Sequence, residues 1–170
     1  MTLTGVTEVM DDNGGMSSLQ ARLQSDLTAA MKARDETRTA SLRMALAALS
    51  TEQTSGKAAR ELTDDDVVTV LTREVKKRRE AAEAYDGAGR TEPANRERAE
   101  EAVLAEYLPA ALSQDELAAL VDDAVADAAA SGVTGPKAMG AVMKSLQPQV
   151  KGRADGAAVA AMVKAALAAG

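Results

Sequence analysis

Apolar residues recur along this chain at helical spacing, and polar ones fill the positions between them. Leu19, Leu23, Leu27 and Ala30 fall on one face, which predicts a first helix from about Ser18 to Arg34 with Ser17 or Ser18 as its cap. Asp35 reads as the N-cap of a second helix, whose stripe is Leu42, Ala45, Leu46 and Leu49. Residues 54–60, with Gly56, read as a loop. Thr63 and Asp66 have the spacing of a capping box, and Asp64, Asp65 and Asp66 suit the positive end of a helix dipole. The third helix then carries Val67, Leu71, Val75, Ala82 and Tyr85 to about Tyr85, with Gly87 and Gly89 stopping it. Thr91, Glu92 and Pro93 open a fourth helix as cap, first-turn acid and early proline.

That helix is expected to end at Tyr107-Leu108-Pro109, because proline disfavours helix in the residue before it. A fresh cap follows at once in Ser113, with Glu116 three residues on. Three shorter helices come next. Their stripes are Leu117, Leu120, Val121, Ala124 and Ala128; Met139, Val142, Met143 and Leu146; and Val159, Met162, Val163 and Leu167. Gly132 and Gly135-Pro136 separate the first two, and Pro148 with Gly152 to Gly156 separates the last two. The expected organisation is all-α: a tail over 1–16, a domain of about four helices over 17–109, and a small three-helix domain over 110–170. The tail lacks a basic targeting segment, and Met16 is a candidate start of translation.

Composition sharpens this picture. Apolar residues make up 46% of the 170, but aromatics only 1%, which suits close-packed helices and would make a poor sheet core. Cysteine and histidine are absent, which removes disulfides, thiolate chemistry, most zinc sites and nearly every nucleophile–base triad. No metal and no cofactor is expected. No stretch reaches the roughly 20 apolar residues of a membrane span, so a cytoplasmic protein is expected. The net charge of −6 opposes wholesale nucleic-acid binding, yet the charge is uneven. Beyond Gly132, Lys137, Lys144, Lys151, Arg153 and Lys164 face only one acid, Asp155.

Two clusters invite chemistry. The run Lys76-Lys77-Arg78-Arg79, with Arg73, is either a phosphate-binding ridge or a solvated face. At about 100° per residue Lys76 and Lys77 point outward, whereas Arg78 falls within the apolar stripe. A buried arginine needs a partner, and Glu52 and Asp26, both near apolar faces, are the candidates. The second cluster, Lys151-Gly152-Arg153-Ala154-Asp155-Gly156, leads into the last helix. It combines cations, glycines and a helix N-terminus, which are the ingredients of a phosphate site and also of an ordinary capped turn. The remaining carboxylates read as solvated surface and the methionines as gap-filling core. With only Tyr85 and Tyr107 there is no aromatic platform for single-stranded bases, so any RNA binding would act through backbone and shape.

Read in order, Asp26-Leu27, Ala30-Met31-Lys32, Asp35, Leu42-Arg43, Glu52, Lys76-Lys77-Arg78, Ala84-Tyr85, Gly89-Arg90, Glu97, Tyr107-Leu108-Pro109, Met139-Gly140, Met143-Lys144 and Gly152-Arg153-Ala154-Asp155-Gly156 form a signature. Together they resemble the YqeY-like family, the GatB/YqeY domain group, from about Ser18 onward. The chain departs from that pattern at Ala138, where an acid is expected, and at Pro93, where an apolar residue is. The resemblance implies an all-α protein related to the tail of the B subunit of the aspartyl-/glutamyl-tRNA amidotransferase. Similar domains are appended to some glutaminyl-tRNA synthetases and help to hold tRNA. It therefore implies tRNA as partner, with an aminoacyl-tRNA synthetase or the amidotransferase as further partners. The expected contacts are Lys137, Lys144, Lys151 and Arg153, extended by Lys76 and Lys77. The family is also associated with carbon–nitrogen ligase activity using glutamine as amido-N donor. Neither a kinase-like site nor an ammonia-generating motif is present in the residues, so no catalytic residue is assigned. A protein-interaction adaptor using the acidic middle of the chain is the remaining alternative.

Overall fold

The structure, a computed structural model, describes residues 15–169. Nearly all of the expected tail, 1–16, lies outside the described residues. Seven helices account for the fold, with no strand among the described residues: α1 Ser18–Ala33, α2 Glu36–Gln53, α3 Asp64–Gly87, α4 Thr91–Ala105, α5 Gln114–Ala130, α6 Pro136–Val150 and α7 Gly156–Ala169. Short polar side chains fix most of the starts by accepting bonds from otherwise unpaired N–H groups. Ser17 accepts from Gln20, and Asp35 from Arg38. Thr63 with Asp66 and Ser113 with Glu116 close complete capping boxes.

Two helix-boundary expectations need correction. Thr91 is not a cap: α4 begins at Thr91 itself, with Arg90 before it and no side-chain cap bond. The cause is the tightness of the corner. Gly89 takes a left-handed φ of 70°, the Arg90 N–H donates to the Tyr85 carbonyl at 2.8 Å, and the guanidinium lies 5.2 Å from the Tyr85 ring centre. Pro148 does not end α6, which runs through it to Val150. Proline removes one backbone bond from the last turn, but Leu146 and Val150 on either side of it are buried and hold that turn in place.

Packing produces two separate apolar cores. The α1–α2 and α3–α4 pairs enclose Leu23, Leu42, Leu49, Val67, Leu71 and Leu104, all at most 1% exposed. Helices α5, α6 and α7 pack on one another around Leu117, Val121, Val142, Leu146, Val159 and Val163. Ala138 is buried at the start of α6, where the acid expected from the family pattern would be costly.

The connector after α4 is strapped rather than loose. Tyr107 is buried in the first core, and its hydroxyl donates to Asp26 at 2.5 Å and accepts from Arg38 at 3.2 Å. Burial, with the Asp26 carboxylate, pushes the Tyr107 phenol up to about 12. Arg38 in turn donates to Glu106 at 2.8 Å, which holds its guanidinium above its ordinary range. Further on, the Leu112 N–H donates to the Arg153 carbonyl at 2.8 Å and Arg153 Nε donates to the Ala110 carbonyl at 2.9 Å.

Candidate nucleic-acid interface

Helices α6 and α7 contain no acidic residue at all. On α6 the apolar stripe of Ala138, Val142, Leu146 and Val150 turns inward, so the polar positions between must face water. Lys137, Lys144 and Lys151 stand seven residues apart. Seven steps of 100° bring the chain back to within about 20° of the same direction and advance it by about 10 Å. The three lysines therefore form one row along the helix. Lys137 and Lys144 are exposed, Lys151 at the C-cap is half-buried, and none of the three has a salt bridge among the described residues. Lys164 on α7 is likewise exposed.

The row ends at the α6–α7 turn. Gly152 there has φ 70°, and a Cβ on it would lie 2.9 Å from Val68 Cγ1 and 3.2 Å from Pro109 Cδ. Only glycine satisfies both the left-handed backbone and this close approach to α3. Asp155 accepts the Ala158 N–H at 3.2 Å, capping α7, and lies 3.5 Å from Lys76 Nζ. The turn with the ingredients of a phosphate site is thus also the joint between the two cores. Beside it lies a cleft of about 630 Å³ lined by Thr69, Thr72 and Arg73 of α3 and by Met143, Lys144, Gln147, Lys151 and Val159 from the other side. Two of the lysine row's three members line it. The contribution of Arg73, Thr69 and Thr72 is not legible in the sequence, because it arises from the docking of α3 on the turn.

The other expected contacts are engaged within the protein. Arg153 is bonded to the Ala110 carbonyl, Lys76 is paired with Asp155 and lies 3.9 Å from Glu80, and Lys77 donates to Glu74 at 2.7 Å. Arg78 is largely buried, its side chain 13% exposed, as its place in the stripe requires. Its partners, however, are neither Glu52 nor Asp26. They are Glu100 at 3.1 Å and Glu97 and Glu74 at 3.8 Å. The reason is packing: α4 lies along α3 and brings Glu97 and Glu100 to the arginine, a neighbour that helix periodicity alone could not supply. Glu52 instead accepts from Arg73 at 2.6 Å and lies 3.8 Å from Arg60, and Asp26 serves Tyr107 and Arg22. Arg79 is paired with Glu101 at 2.6 Å.

Among the described residues no group of three or more acidic, histidine or cysteine side chains is placed to hold a metal, and no helix is long and apolar enough to cross a membrane. Comparison with known proteins places the chain. The family model described as YqeY-like protein matches residues 20–167, and the chain belongs to that family. No curated protein matches it.

Proposed function

For this member of the YqeY-like family we propose an RNA-binding accessory role, with tRNA as the partner and no catalytic site of its own. The observation that carries this reading is the row Lys137, Lys144 and Lys151 on an acid-free helix, with no carboxylate partner among the described residues. Such a row offers regularly spaced charges to a phosphate backbone, and phosphate contacts give position and affinity without sequence readout. Arg153, Lys76 and Lys77 would extend the surface to a smaller degree, since each must first release a partner inside the protein. Glu74, Glu97 and Glu100 surround Arg78, Glu74 being shared with Lys77, so these carboxylates are engaged in ion pairs. The carbon–nitrogen ligase association of the family is therefore read as belonging to larger assemblies with which this chain would work.

The test is a gel-shift series with tRNA and with duplex DNA of similar length at rising salt. The expected result is tRNA binding at low salt that weakens steeply as salt rises, and weaker binding to the DNA. No tRNA binding at low salt would overturn the reading and favour a protein-interaction adaptor.

A further inference from the structure

We propose that the cleft between α3 and the α6–α7 turn takes a single unpaired nucleotide of the RNA held by the lysine row. This rests on the RNA-binding reading above and deepens it. The cleft combines an apolar lining, which includes Met143 and Val159, with the unpaired cations Lys144 and Lys151 and the Glu52-paired Arg73. Its volume of about 630 Å³ lies in the range of sites for one small ligand and is far too small for a duplex. Such a lining suits an occupant that carries a negative charge beside a compact ring.

Its place in the fold narrows the choice. The lysine row runs along α6 and delivers its last two members to the cleft edge, so a phosphate chain following the row arrives there. Paired bases of an A-form helix stay stacked inside the duplex, whereas an unpaired base is free to swing out into a concave site. Thr69 and Thr72 also line the cleft; their hydroxyls donate to the Asp65 and Val68 carbonyls at 2.9 and 2.7 Å, which leaves their oxygens to accept from a base N–H. Arg73 is pinned by Glu52 at 2.6 Å, which fixes a planar guanidinium at the rim, and a base can stack on such a plane. The thioether of Met143 offers a second soft contact to an aromatic ring. The chain thus meets a base without an aromatic platform.

The experiment compares two RNA hairpins of equal length, one fully paired in its stem and one carrying a single bulged 2-aminopurine nucleotide. Binding is measured to the whole protein and to Thr69→Leu. Thr69 is exposed and outside both cores, so leucine narrows the cleft without changing charge or adding a ring on which a base could stack. The bulged RNA should bind about tenfold more tightly than the paired one, the size of one base contact, and its fluorescence should change on binding. Thr69→Leu should diminish both effects. Equal affinity for the two RNAs, or a bulge preference and fluorescence change that are both unaltered in Thr69→Leu, would overturn the inference while the electrostatic reading stands. Failure of both RNAs to bind at low salt would overturn both readings.

Discussion

The two helical clusters use their positive charge in opposite ways. In α1–α4 five arginines serve structure: Arg38 is paired with Glu106, Arg60 with Asp66, Arg73 with Glu52, Arg79 with Glu101, and Arg78 sits among three glutamates. In α6 and its following turn the lysines meet no carboxylate among the described residues, because the local sequence contains only Asp155 and that side chain caps α7 and pairs with Lys76. Charge density is therefore a poor guide to available charge here. The densest basic run, residues 76–79, is neutralised at every position, and the sparse lysines of α6 are unpaired among the described residues.

The sharpest way to break this contrast is to remove the arginine at the centre of the first cluster. Arg78→Ala leaves Glu97 and Glu100, largely out of water, without their cation, and Glu74 with Lys77 alone. Loss of one member of a buried ion-pair set costs roughly 3–5 kcal/mol, which urea unfolding would register as a clear drop in midpoint. Lys77→Ala, at a side chain 65% exposed, should change stability by less than about 1 kcal/mol. Similar small losses in both would mean that the run is surface after all.

A smaller but still sizeable effect is expected at the joint. Gly152→Val forces a branched residue into a left-handed backbone and drives its Cβ into Val68 and Pro109. The backbone term alone costs about 1–2 kcal/mol. The more telling readout is limited proteolysis: we propose 17–109 and 110–170 as separable units, and cutting within 108–113 should accelerate in the variant. An unchanged cleavage rate at 108–113 would show that the turn does not hold the connector.

Tyr107→Phe should have a milder effect on stability than Arg78→Ala or Gly152→Val, about 1–2 kcal/mol at neutral pH from the missing bond to Asp26. It also carries a pH signature. The folded phenol holds its proton to about 12, while an unfolded tyrosine releases it near 10. The folded state thus binds more protons in that window. The tyrosine's contribution is complete below about pH 10 and is lost between there and about pH 12. The stability gap between the native chain and Tyr107→Phe, followed by chemical unfolding, should shrink over that range. A constant gap would show that the phenol titrates alike in both states.

Much of this architecture is legible in the sequence because it is local. Caps such as Asp35, Thr63 and Ser113 satisfy N–H groups three residues away, so spacing alone reveals them. The helical period likewise turns Arg78 inward. What spacing does not contain is which helix lies opposite: the choice of Glu97 and Glu100 over Glu52 and Asp26 is made by α4 packing on α3. The same holds for the cleft, where Thr69, Thr72 and Arg73 meet a turn some eighty residues away in sequence. Pro148 departs from expectation for a related reason, since burial of Leu146 and Val150 outweighs one missing hydrogen bond.

The central claim, that available charge rather than dense charge meets the RNA, is tested most directly by matched charge reversals. Lys144→Glu with Lys151→Glu is compared with Lys76→Glu with Lys77→Glu, which make the same change in net charge. Affinity for tRNA is measured by titration at several salt concentrations, with unfolding midpoints as a check on folding. Reversal on α6 should weaken binding strongly and reduce the salt slope by about two, one for each phosphate no longer neutralised. Reversal on α3 should weaken binding much less and leave the slope nearly unchanged. Equal drops in affinity and slope from the two pairs would contradict the account.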